Sequence, residues 1–219
     1  MLFNIRNYFF NYYILCSLHI ASILIGMTMI TRVIHLGDIN GMSIYITGCL
    51  FIIPFCFFVQ DIVTEVYGHI FTMLMIVCSV IVLSIYFLLF YLTAMYDQSD
   101  NTLISNITTV MPRHTIALVV SLLVGGFINS FILNKLRIKL VGKFLAIRFI
   151  FSTAIGEAFF QTITVLISWY GTFHIYEVIP IAILAYIYKV LFEIAMTPIS
   201  VAVCDKLTPD ILKYRDIND

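Results

Sequence analysis

Charge is scarce in this sequence. Asp, Glu, Lys and Arg together make up 11% of its 219 residues, where soluble domains carry about 25%. With 62% hydrophobic residues and a mean hydropathy of +1.05, this scarcity excludes a soluble enzyme, a nucleic-acid-binding domain and a disordered tail. Chemical motifs are missing as well. The chain holds no G-x4-G-K-[ST] loop, no H-E-x-x-H, no paired-Asp protease motif and no Glu-Glu-x3-Arg motif. No catalytic residue is therefore expected. Cys16, Cys49, Cys56, Cys78 and Cys204 show no C-x-x-C spacing, and at least four of them lie in apolar runs. They read as small buried hydrophobes, and neither a metal site nor a cofactor is expected.

Long apolar runs are what the chain does have. Its apolar residues number about 136, and six membrane spans of roughly 20 residues need about 120. The runs are 12–31, 43–63, 70–95, 115–133, 149–169 and 178–204. Each is expected to be a helix, because a spanning segment must satisfy its own backbone in lipid. The first run follows Arg6 as a signal peptide would, but it is too long for an h-region and lacks a small-x-small cleavage site. It reads as a retained span. The connection at 96–112 is the one long one; it carries Asp97, Asp100 and the sequon Asn106-Ile107-Thr108.

The expected fold is all-α: a polytopic membrane protein with six transmembrane helices in a single domain over 1–219. Lys and Arg near the span ends orient it. With the N-terminus inside, the inner side holds Arg6, Lys135, Arg137, Lys139, Lys143, Lys206, Lys213 and Arg215, and the outer side Arg32 and Arg113. Both termini are thus expected in the cytoplasm.

Six ionisable residues remain in or at the edges of spans: Asp61, Glu65, Arg148, Glu157, Lys189 and Glu193. Each costs about 2.5 kcal/mol or more at mid-membrane. Glu157 lies nine residues past Arg148, about 13 Å deeper, with Gln161 one turn on and Ser152 and Thr153 one turn back. A mid-membrane acid on a polar stripe is the expected address of a transporter site. Asp61 and Glu65, four apart, repel rather than brace their helix, and Pro54 earlier in the same run removes a backbone donor. A binding role is expected of the pair.

Lys189 and Glu193 share a helix face and read either as a structural ion pair or as coupling or substrate groups. Arg148 sits where a long side chain can snorkel to the interface. His19 reads as hydrogen-bonded structure, and Gly125, Gly126, Asn129 and Ser130 as a close helix contact. The acids fall in the second span of each half of the chain, a faint trace of an inverted repeat.

Pro54-x6-Asp61-x3-Glu65-x-Tyr67-Gly68 resembles the signature of the queuosine precursor transporter family, also called the VUT or YhhQ-type family. Arg148-x3-Ser152-x3-Gly156-Glu157 and Lys189-x3-Glu193-x4-Pro198 continue the resemblance, which covers essentially the whole chain. It implies a bacterial inner-membrane importer of 7-deazaguanine bases such as preQ0 and preQ1, or of queuine, for tRNA modification. Three departures bear on which precursor is carried: His69-Ile70-Phe71 where members carry a basic cluster, Phe160 beside Gln161 where an acid is frequent, and Asn129 where Asp is frequent. The expected substrate-binding set is Asp61, Glu65, Asn129, Ser152, Glu157 and Gln161, with Arg148, Lys189 and Glu193 as structural or coupling charges. A buried carboxylate accepts the paired N1–H and N2–H of a guanine-type edge, and an amide serves O6. The expected partners are this purine-like molecule and the lipid bilayer, with a homo-oligomer also open. The alternative reading is the substrate-binding subunit of an energy-coupling-factor vitamin importer, which needs a partner ATPase.

Overall fold

The computed structural model describes residues 2–30, 32–39, 42–96, 108–169, 171 and 175–208. Asn106 and Ile107 of the sequon, Asp97, Asp100, Lys213 and Arg215 lie outside them. In chain order the elements are α1 (Leu2–Met29), β1 (Val33–Ile39), β2 (Met42–Thr47), a 3-10 turn (Gly48–Phe51), α2 (Ile53–Tyr67), α3 (His69–Tyr96), α4 (Met111–Lys139), α5 (Leu145–Trp169) and α6 (Ile175–Leu207). Six segments are long and apolar enough to cross a membrane: Asn7–Met29, Gly48–Tyr67, His69–Tyr96, Met111–Lys139, Leu145–Trp169 and Val178–Leu207. The chain is a multi-pass helical membrane protein. Its helices run alternately between a hairpin end, where β1 and β2 pair, and a turn end, where Gly68 and the 140–144 connection lie.

The second span departs from expectation. Residues 43–47 belong to the antiparallel hairpin, with Val33 opposite Thr47 and Asp38 opposite Ser43. A short apolar stretch rich in β-branched and aromatic residues suits a strand as well as a helix, and periodicity alone does not separate them. Pro54 does not interrupt a long helix. It occupies the first turn of α2, where its missing N–H would have had no helical partner anyway. The backbone irregularity sits just before it, where the 3-10 turn ends at Ile52. Prolines do fall inside α6, at Pro180 and Pro198.

Gly68 ends α2 at φ 93°, a left-handed conformation that glycine adopts without a Cβ clash. Its N–H reaches the carbonyls of Val63 and Thr64, so α3 begins at once and folds back along α2. Hydroxyls of Thr64 and Thr72 bond across the turn at 3.0 Å.

Two helices approach most closely through glycine. A Cβ on Gly156 would fall 2.6 Å from the Cβ of Asn129, and one on Gly125 would fall 2.8 Å from the Cβ of Phe160. Small residues let α4 and α5 touch backbone to backbone, the usual device where lipid supplies no hydrophobic drive between helices. Gln60 closes the seam from α2, donating to the carbonyl of Gly126 at 2.9 Å.

α2 is the enclosed element. It packs against α1, α3, α4 and α6, and 72% of its spanning window is buried, against 22% for α3 and for α6. The outer helices turn large apolar side chains such as Ile85, Leu89, Phe151 and Leu191 outward, as a lipid-facing surface requires.

Candidate functional site

The enclosure of α2 brings its two acids against different helices. At the turn end, Glu65 accepts a forked pair of bonds from Arg148 of α5, Nη1 to Oε2 at 2.8 Å and Nη2 to Oε1 at 3.0 Å. The same Nη2 donates to the carbonyl of Gly142 at 3.1 Å. Arg137, in the last turn of α4, donates to the backbone carbonyl of Glu65 at 2.6 Å, and its Nε lies 3.7 Å from Oε1. Three helices and the α4–α5 connection are thereby tied at one carboxylate. That connection holds Val141 and Phe144 at positive φ (50° and 56°), a strained backbone to which the Arg148–Gly142 bond gives an anchor.

One turn back toward the hairpin end, Asp61 is fully buried and accepts from neutral donors. Asn129 Nδ2 reaches Oδ1 at 2.6 Å, and Thr153 Oγ1 reaches Oδ2 at 2.7 Å. The glycine contact of α4 with α5 sets this spacing, because Asn129 lies directly over Gly156.

The third cluster joins α5 to α6. Lys189 Nζ donates to Glu157 Oε2 at 2.8 Å and to Gln161 Oε1 at 3.2 Å, and it stands 4.2 Å from the centre of the Phe160 ring. Lys189 therefore pairs across helices and not with Glu193 on its own face. Glu193 is 1% exposed, and neither of its carboxyl oxygens has a hydrogen-bond partner.

Lys189, Gln161 and Phe160 of this cluster form the floor of a cavity of about 550 Å³ in the hairpin-end half of the molecule. Its walls are largely apolar, with Leu50, Ile53, Leu118, Phe160, Val165 and Ile181 among them. Polar side chains are few: Gln161 and Lys189 at the floor, Thr164 above them, and Thr47, His114, Ser168 and Trp169 nearer the rim. A concave, mostly apolar space with a few convergent polar groups is what a small organic ligand needs, and the volume lies within the range of about 300–1,000 Å³ usual for such sites.

Of the residues singled out from sequence, Gln161 and Lys189 line the cavity and Glu157 lies directly behind them. Asp61 and Asn129 meet each other one layer deeper, and Glu65 and Arg148 meet at the turn end. Ser152 is buried but spends its hydroxyl on the carbonyl of Phe149 in its own helix, at 3.1 Å. His19 bonds Ser79 at 2.8 Å. Ser130 bonds His69 at 2.9 Å. Sequence reasoning missed Arg137, which reads as one more positive loop charge, and the rim residues His114 and Trp169. Trp169 was legible as the one tryptophan of the chain, at the end of a span.

Comparison with known families agrees with a site built for a small molecule in a membrane. A family profile described as "Putative vitamin uptake transporter" matches residues 47–203, well over half of the chain. No curated protein and no solved structure matches it. The matched region begins at the last residue of the hairpin and takes in every helix that contributes to the three clusters. The chain belongs to this vitamin uptake transporter family of multi-pass membrane proteins.

Proposed function

We propose that this protein imports 7-deazaguanine precursors of queuosine across a bacterial inner membrane, acting as one domain over 1–219 with both termini in the cytoplasm. The hairpin end then faces outward, and the cavity receives ligand from outside. The observation that carries the proposal is the floor of that cavity. Gln161 holds its carbonyl oxygen on Lys189, which turns its NH₂ into a donor for O6 of a guanine-type ring. Directly behind these floor residues, Glu157 holds Lys189 through Oε2 and keeps Oε1 unbonded, the acceptor we assign to the N–H edge of the ring. The rings of Phe160 and Trp169 and the aliphatic walls suit a flat heterocycle. A ligand lacking either half of this pattern leaves a buried polar group unpaired, which is a strong basis for rejection.

The direct test measures queuosine in tRNA from bacteria that lack both precursor synthesis and their own importer. Cells expressing the intact protein, fed preQ0, preQ1 or queuine at low concentration, are expected to regain queuosine. Cells expressing Glu157→Gln at the same membrane level are expected to regain little. No queuosine with any base, despite verified expression, refutes the assignment.

The second reading is the substrate-binding subunit of an energy-coupling-factor vitamin importer, which works with a partner ATPase; the words vitamin uptake in the family description fit it equally well. Co-purification of an ATPase module with the tagged protein from its native membrane would support it. Uptake by the purified protein alone in proteoliposomes would exclude it.

A further inference from the structure

Glu193 is a buried acid that the binding site leaves unused. It stands midway along the spanning segment Val178–Leu207, is fully buried, and finds no hydrogen-bond partner for either carboxyl oxygen among the described residues. Four residues beyond Lys189 on α6, it lies about 6 Å further along the helix axis and does not line the cavity. A ligand in the cavity therefore leaves it as it is. The elements packed on α6 are α5, α2 and β2. Within electrostatic reach of Glu193, α2 brings Asp61 and α5 brings Glu157. Asp61 already takes two neutral donors, and Glu157 takes the ammonium of Lys189. Glu65 and Arg148, the remaining charges of α2 and α5, hold each other at the turn end. Cys56 of α2, beside Glu157 and Lys189, adds only a thiol, and β2 carries no charged residue.

An ionised Glu193 would be a charge without donors beside two other acids, a state that a buried site does not sustain. The neutral acid brings its own O–H donor. No three His, Cys, Asp or Glu side chains converge as metal ligands among the described residues, and a proton is the cation that needs no cavity. Resting on the import proposed above, we infer that protons drive it: Glu193 carries one proton inward with each ligand, and Lys189 relays the loss of that proton to the cavity floor. Protonated from the outer side, Glu193 leaves Lys189 on Glu157 and Gln161, and the floor is complete. When the proton leaves to the cytoplasm, the carboxylate competes for Lys189, one turn away on the same face. Lys189 then turns from Glu157 and Gln161 to Glu193, the floor comes apart, and the ligand is released. Ligand and proton thus favour one another's binding, because each requires the same position of Lys189.

The experiment places purified intact protein and Glu193→Gln in proteoliposomes, with radiolabelled preQ0, preQ1 and queuine assayed in parallel. Intact protein is expected to accumulate its base when the outside is acid, and not under a sodium gradient at equal pH. At one proton per base, a difference of one pH unit holds about a tenfold accumulation of a neutral base. Glu193→Gln, which mimics the protonated side chain, is expected to exchange external for internal base at close to the intact rate yet accumulate none. A side chain that only filled space would lower exchange and accumulation together. That joint loss overturns the inference and leaves the function standing. So does accumulation that survives Glu193→Gln, that follows sodium at equal pH, or that fails with acid outside while intact protein still exchanges base. Neither uptake nor exchange of any of the three bases by intact protein refutes the function itself. Should Glu193→Gln fail to reach the membrane, the intact protein decides alone. Adding the base that it carries to the purified protein in weakly buffered detergent is expected to raise the pH, as bound ligand draws a proton onto Glu193. No proton uptake at any starting pH overturns the inference.

Discussion

Glu65 and Glu193 are both acids in spanning helices, the first partly and the second fully buried, and they are treated in opposite ways. Glu65 is gripped by a guanidinium fork, by a second arginine and through that arginine by a neighbouring helix end. Glu193 is more deeply buried and has no hydrogen-bond partner at all. The contrast separates an acid that holds the fold together from one that the fold tolerates. A buried charge is tolerable when its partners are built in. An unpartnered one destabilises the protein unless something else arrives to satisfy it. The two ends of the molecule follow the same division: the turn end is clamped, and the hairpin end is hollow.

Removing the clamp has the largest expected effect. Arg148→Met leaves the partly buried Glu65 with a single arginine, and the expected loss is about 3 kcal/mol. It would be seen as a large fall in the thermal midpoint of the detergent-purified protein. Adding Glu65→Gln to Arg148→Met should recover part of that loss, because the two residues act as one unit. Full additivity would mean the pair is not the brace described.

Next in size is Gly156→Val. Its new side chain must displace Asn129 and the backbone carbonyl of Gly125, with overpacking of about 1–3 kcal/mol. The same scan reports it, and Asp61 should lose its Asn129 bond as the helices part.

Glu193→Leu tests the unpartnered acid. It deletes two unbonded oxygens and is expected to raise stability by about 1 kcal/mol. A fall in stability of similar size would show that Glu193 already has a structural partner. Smallest is Tyr186→Phe, which removes a hydroxyl bond to the Ala154 carbonyl at 3.1 Å. The effect should be about 1 kcal/mol or less, with uptake unchanged.

The six spans and the acids within them were legible in the sequence because both follow from one-dimensional facts: apolar length, and charge inside it. Who pairs with whom was not. Spacing joins Lys189 to Glu193, yet Lys189 crosses to Glu157 on another helix, a choice made by the packing of α5 on α6. Arg148 reads as a snorkelling charge, yet its side chain is 1% exposed and turned inward to Glu65. The hairpin was hidden for a different reason. Ile44, Tyr45, Ile46 and Thr47 are apolar enough to extend a membrane run and β-prone enough to leave it. The small residues were the exception: Gly125, Gly126 and Asn129 announced a close helix contact, and the contact is there.

The enclosure of α2 bears on how the protein is made. Its acids find their donors late in the chain: Asn129 follows Asp61 by 68 residues and Thr153 by 92, while Arg148 follows Glu65 by 83. When α2 leaves the ribosome, none of these side chains has been synthesised. The segment that becomes the centre of the molecule is therefore the one least able to rest alone in lipid. Its final placement must await α4 and α5, so the middle of this protein is completed after its outside.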